Sequence, residues 1–159
     1  MQSYSEKLES TLLEQAQKDN IERMAVGGII LDETKTKLLL LKRHPSDFLP
    51  NLEELPSGKV EHDESLNEAV IREVKEETDL DVIEVTNYLN SFDYFSKSGK
   101  KTRQFNFILT TKSTTTISLL PDEHSSFTWH SLQKPTTALT PIMQEIIEML
   151  KTSCGKQST

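Results

Sequence analysis

The sequence predicts an α/β sandwich built on a mixed β-sheet, with an additional helix at the N-terminus. Three observations carry this prediction. Apolar residues recur at helical spacing in three separated stretches, near residues 3–19, 65–78 and from 140 onward. The segments between them read as strands bounded by turn residues. Residues Leu38 to Leu41 are aliphatic without a break, as expected of a strand buried on both faces. The resulting order is strands, helix, strands, helix.

The elements follow in turn. Leu8, Leu12 and Ala16, with Leu13 beside them, mark the N-terminal helix within residues 1–20, a segment suited to padding the domain or supporting a dimer. Met24–Leu31 reads as the first strand, closed by Asp32-Glu33-Thr34, and Lys37–Arg43 as the second. A loop from His44 to Asn51 holds two prolines, and Leu52–Leu55 is a short extended piece. Ser65 followed by Glu68 is a capping box that opens the central helix, with Leu66, Ala69, Val70 and Val74 as its buried stripe. That helix is expected to end near Thr78. Val82–Val85 and Tyr88–Tyr94 lead to the hairpin turn Lys97-Ser98-Gly99-Lys100, and Thr102–Thr110 returns with Phe105, Phe107 and Leu109 on one face. Ile117–Leu120 and Ser126–His130 are shorter strands, the second carrying Trp129. Phe105, Phe107 and Trp129 are expected in the core. Pro141 opens the last helix at its first position, with Ile142, Ile146, Met149 and Leu150 facing inward. Residues 152–159 are polar and read as a disordered tail. No repeat or linker interrupts the chain, so residues 1–159 are expected to form a single domain.

Composition narrows the function. The 159 residues carry a net charge of −7 and 35% hydrophobic residues, with one cysteine, Cys154. That excludes an intrachain disulfide framework and suits a reducing cytosol. There is no signal-like apolar segment at the start, and no run long enough for a membrane span, so a cytoplasmic protein without a membrane partner is expected. The charge is unevenly placed: Lys59 to Asp81 holds nine acidic and three basic residues. A nucleic-acid binder shows a basic patch instead. An acidic centre suits an anionic phosphate substrate only if cations lie between them.

Within that segment Glu73, Glu76 and Glu77 stand at i, i+3 and i+4. On a helix this places three carboxylates on one face about 5–6 Å apart, where like charges cost a few tenths of a kcal/mol per pair. A hard cation such as Mg²⁺ turns that cost into binding. The four histidines are scattered and suggest surface positions, with no metal cluster among them.

Residues 58 to 80, GKVEHDESLNEAVIREVKEETDL, also resemble the Nudix box. Gly58, Glu64, Arg72-Glu73-Val74, Glu76-Glu77 and Leu80 match its pattern, and the late Gly is Asp79 here. The lead-in Leu55-Pro56-Ser57-Gly58-Lys59 is similar to the family's usual Leu-Pro-Gly-Gly-Lys. The resemblance implies the Nudix α/β/α sandwich and hydrolysis of a diphosphate bond in a small nucleotide by water attack on phosphorus. Mg²⁺ is the implied cofactor, with Mn²⁺ as a substitute. It implies metal ligation by Glu73 and Glu77, by Glu76 as a third ligand or a support, and by the carbonyl of Ser57. Arg72 is implied to steady a catalytic carboxylate, and Glu64 to hold the loop. Asp79 takes the place of a left-handed glycine that caps the helix, at a cost of about 1 kcal/mol or less. Family members bring a further Glu from a later loop, which makes Glu123 a ligand or an alternative to Glu73 as the base. Arg43 matches a nucleotide-contacting Arg of mutator-type members. Leu139 replaces their base-reading Asn, so a preference for oxidised guanine is not expected. Phe48 could stack on a base, Lys59 could reach a phosphate, and Arg103 is a further substrate candidate. A nucleoside triphosphate is favoured over ADP-ribose, a nucleotide sugar or a dinucleotide, in a monomer or homodimer. A nucleotide-sensing domain that does not cut is the reading from another class; such domains usually lose box glutamates, and all are present here.

Overall fold

A computed structural model describes residues 1–114 and 116–157, with side chains through Ser153 apart from Thr115. The chain runs β1 (Gln2–Ser3), α1 (Glu6–Lys18), β2 (Arg23–Ile30), β3 (Lys37–Arg43), β4 (Glu53–Glu54), β5 (Ser57–Lys59), α2 (Leu66–Thr78), β6 (Val82–Phe95), β7 (Lys101–Thr111), β8 (His124–Ser131) and α3 (Pro141–Gln157). Five strands form a mixed sheet in the order β1-β6-β7-β2-β5, in which only β2 and β7 are parallel. The antiparallel trio β4-β3-β8 makes a second sheet, bridged to the first where Leu31 meets Leu38.

Alternation along the strands divides the core. Val26, Ile30, Leu39 and Leu41 pack with Ala16 of α1 and with Leu66, Ala69, Val70 and Val74 of α2. Ile29, Leu38 and Leu40 pack with Ile146, Ile147 and Leu150 of α3. Both faces of β3 are therefore buried, which is why its sequence is aliphatic without alternation. The mixed sheet thus lies between α1 and α2 on one side and α3 on the other, the expected α/β/α sandwich. Phe105 and Phe107 are buried, and Trp129 packs partly buried against the first cluster.

The helix termini follow local chemistry. Ser5 and Ser65 each accept a hydrogen bond from a backbone N–H three residues on, at 3.1 and 3.0 Å. At the end of α2, Asp79 adopts the left-handed conformation (φ 64°) and its N–H bonds the carbonyl of Lys75. Lys75 Nζ lies 3.0 Å from both Asp79 and Asp81, a surface contact that draws the Asp79 side chain back onto the helix end.

Four expectations change. Residues 82–95 form one strand, because register shifts absorb the break expected between Val85 and Tyr88. Ile117–Leu120 is not a strand; Ile117 and Leu119 instead pack as coil against the first core cluster. The extended piece at Leu52–Leu55 is paired only at Glu53–Glu54, and a further short strand follows at Ser57–Lys59. The expected disordered tail at 152–159 is helical through Gln157, since α3 continues past its apolar stripe; residues 158–159 lie outside the described ones. No helix among the described residues is long and apolar enough to cross a membrane.

Candidate active site

Strand β5 delivers Gly58 against the middle of α2. A Cβ at Gly58 would overlap the Glu73 carboxylate, so only glycine allows the loop to pass this close. Arg72 sits beside this contact and is held on several sides. Its Nε and Nη2 grip Glu64 at 2.7 and 2.9 Å, Nη1 bonds Glu73 Oε1 at 2.7 Å, and Nη2 also donates to the carbonyl of Lys59 at 2.9 Å. Glu76 lies farther out, half exposed, with its oxygen 3.3 Å from Arg72 Nη1. The bidentate grip holds the Glu64 carboxyl below the usual carboxylate range. Glu73 is half-buried; burial pushes its carboxyl up, against the pull of Arg72.

Glu77, one turn further along the same face of α2, is only 3% exposed. Its Oε1 accepts from the Ser57 N–H at 2.8 Å. Burial, with added repulsion from Glu54, Glu73 and Glu123, pushes its carboxyl up to about 9. Beside it stands His124, 4% exposed, at the start of β8. A register shift between Lys42 and Arg43 pairs Arg43 with His124 across β3 and β8. The His44 N–H bonds the Glu123 carbonyl at 3.0 Å and fixes the approach to β8. His124 Nε2 lies 3.0 Å from Glu54 Oε1, and Arg43 Nη2 lies 2.9 Å from the other oxygen of Glu54. His124 Nδ1 is 3.3 Å from Glu77 Oε2, yet it is buried without a hydrogen-bond partner. The two atoms are in contact, but the angle does not suit a hydrogen bond.

These groups border a cavity of about 610 Å³. Of the residues singled out from the sequence, Arg43, Ser57, Lys59, Glu77 and Glu123 line it. Glu73 lies behind Gly58, held by Arg72, and Glu76 stays on the outer side of the helix. Arg43 reaches the cavity but is already engaged by Glu54 and, at 3.3 Å, by Asp47. Phe48 does not line it; the ring is 71% exposed, with the Lys97 ammonium 5.9 Å from its centroid. Arg103 does not line it either. Its guanidinium is committed to Asp93 at 2.7 and 3.0 Å and to Asp19 at 2.9 Å, tying the end of α1 to the sheet. Leu139 is buried in the second core cluster.

Sequence reasoning missed two residues of this site. Glu54 had no motif to mark it. The scattered spacing of the histidines suggests surface positions, but His124 and His130 are both buried, and His124 belongs to the acidic group. Its adjacency to Glu123 was the available signal.

The donor set fits a divalent cation. Glu77, Glu123 and His124 each offer one ligand atom, and these atoms lie within 4.8 Å of one another. Two ligands on opposite sides of an ion bound at 2.1–2.4 Å stand roughly 4–5 Å apart. The buried, unpartnered Nδ1 points to the same place.

Comparison with known proteins agrees with this layout. A family model described as the NUDIX domain matches residues 22–150. The crystal structure of a MutT protein from Methanosarcina mazei Go1 superposes with a TM-score of 0.67 at 26% identity, covering 82% of this chain and 94% of that one. An Ap4A hydrolase from C. elegans, at 20% identity, shares the fold with a TM-score of 0.68 over 84% of this chain and 98% of that one. A protein of Methanocaldococcus jannaschii described as ADP-ribose pyrophosphatase is 49% identical over 57 residues, which is 36% of this chain. The match spans about a third, 32%, of that relative's length.

Proposed function

We propose that this chain, which belongs to the NUDIX domain family, hydrolyses the diphosphate bond of a small nucleotide with the help of a divalent cation. The observation that carries this reading is the meeting of Glu77, Glu123 and His124 at the edge of the cavity, next to the Arg72-clamped Glu73. Mg²⁺ is the cation proposed, with Mn²⁺ as a substitute; it would supply charge neutralisation at the diphosphate and a more acidic water. Glu77 and Glu123 would hold it, at the point His124 borders. Arg72 keeps Glu73 in one orientation against Gly58, from which the carboxylate can take the proton of the attacking water. Glu123, exposed on its loop, is the alternative acceptor. A bond forms from water oxygen to phosphorus, the bridging P–O bond breaks, and the leaving phosphate carries the displaced charge. Arg43 and Lys59 add positive charge to a cavity otherwise bordered by carboxylates.

A nucleoside triphosphate is the substrate we favour. ADP-ribose is the second reading, supported by the name of the Methanocaldococcus jannaschii relative. The protein would act in the cytosol, as a monomer or homodimer. Incubation with nucleoside triphosphates, ADP-ribose, nucleotide sugars and dinucleotides, with Mg²⁺ and then with EDTA, tests this. Metal-dependent cleavage of at least one class is expected. Tight nucleotide binding with no cleavage of any class would replace the enzyme by a sensing domain.

A further inference from the structure

We propose that His124 is itself a ligand of the cation through Nδ1, so that the site mixes nitrogen with oxygen donors and binds Mn²⁺ or Co²⁺ more tightly than Mg²⁺, whichever of them supports turnover. This deepens the reading above and rests on it. The tautomer follows from the hydrogen-bond network. A carboxylate oxygen accepts, so the contact with Glu54 at 3.0 Å places the ring proton on Nε2 and leaves Nδ1 as a bare lone pair. That lone pair is buried, lacks a hydrogen-bond partner and lies 3.3 Å from a carboxylate oxygen of Glu77. Two lone pairs at this distance repel unless a proton or a metal cation stands between them; the angle is wrong for a shared proton, and Glu123 supplies a third donor to the same point.

The support behind the ring has the form found behind ligating histidines, in which the far N–H is given to a carboxylate that is itself held. Here Glu54 is that carboxylate, and Arg43 holds it at 2.9 Å. Imidazole nitrogen raises affinity for transition metals over Mg²⁺, which prefers oxygen alone. The preference is therefore written into β8 and its pairing with β3, outside the box helix.

The test loads the full-length, EDTA-stripped protein with Mn²⁺ and reads electron spin-echo modulation with ¹⁴N- or ¹⁵N-histidine. One bound Mn²⁺ coupled to a histidine nitrogen is expected, retained in His44→Gln and lost in His124→Gln. Glutamine keeps a group that can reach Glu54 but removes the Nδ1 donor. Titration should also show the preference for Mn²⁺ over Mg²⁺ shrinking about tenfold in His124→Gln. Should that variant fail to fold, retention of the coupling in His44→Gln, His62→Gln and His130→Gln assigns it by elimination among the four histidines. Mn²⁺ bound without nitrogen coupling overturns the proposal and leaves the metal-dependent enzyme standing. Coupling lost in another histidine variant also overturns it. Failure to bind Mn²⁺ or Mg²⁺ at all overturns both.

Discussion

Glu73 and Glu77 stand one helical turn apart on α2 and burial pushes both carboxyls up, yet only Glu73 has a guanidinium to pull it back. Glu73 shares the Arg72 guanidinium with Glu64, so burial is offset by a charge-assisted bond of 2.7 Å. Glu77 has no guanidinium. It meets one backbone N–H, a histidine ring and three other carboxylates, and burial first, with their fields second, raises its carboxyl to about 9. The outer cluster needs no cation to be satisfied: Arg72 braces Glu73 in the orientation the proposed reaction uses. The inner cluster holds a carboxyl whose charge is opposed by burial above all and by its neighbours in addition, a cost that a cation relieves. One helix thus presents two carboxylates of the same residue type, one held by a guanidinium and one open to a cation, and their neighbours decide which is which.

The largest test of that contrast is Glu77→Gln. Turnover is expected to fall about a hundredfold or more, as for the loss of a positioned metal ligand, measured by steady-state phosphate release. Stability should move the other way. The folded-state value of Glu77 lies above its unfolded value, so its contribution is full below the unfolded value and is lost as pH rises toward about 9. Metal-free wild type should therefore lose melting temperature between about pH 5 and pH 9, and Glu77→Gln should flatten that loss. A melting profile unchanged by the substitution would mean the Glu77 charge meets no such cost in the inner cluster.

Arg72→Ala breaks the brace. It removes charge-assisted bonds worth about 1.5–3 kcal/mol, or roughly 3–12 °C in Tm for a chain of this size. Its pH dependence has the opposite sign. Glu64 is held below its ordinary value, so its share of stability is present at neutral pH and fades as acid protonates it. In denaturant melts, the difference between wild type and variant should shrink as pH is lowered from 7 to below the ordinary carboxylate range. A constant difference would show that Arg72 acts by packing alone.

Arg43→Ala probes the link between the clusters and the substrate. It removes a cavity cation and frees Glu54, so KM should rise about tenfold, an energy of about 1.4 kcal/mol. Divalent affinity should fall as well, because the Glu54 carboxylate behind His124 loses its anchor. The smallest effect is expected from Phe48→Ala. Its ring is exposed and outside the cavity, so KM should change less than about threefold; a larger change would bring the 44–51 loop into the site.

The brace was legible in the sequence because its geometry is local. Arg72, Glu73 and Glu76 are spaced by a helix, and Glu64 lies just before the Ser65 cap. The buried stripe of α2, its end at Thr78 and the left-handed Asp79 follow from the same short-range rules. β3 was legible for a different reason: burial on both faces leaves four aliphatic residues in a row. Arg103 was misread because its partners, Asp19 and Asp93, lie far off in the chain, and an isolated Arg on a strand looks free until they are placed. The helical residues 152–157 were misread because they lack the apolar stripe on which the assignment was based.

By itself, then, the sequence determined the family resemblance, the two-sided sheet, the box helix and its clamped carboxylates, since each depends on spacings that 3.6- or 2-residue periodicity fixes in advance. Only the tertiary structure decided that Glu54 and His124 meet across 70 positions, and that they do so behind Glu77. That meeting depends on a single register shift between Lys42 and Arg43. Strand register is set by the packing of whole sheets, and a shift of one residue sends a side chain to the opposite face.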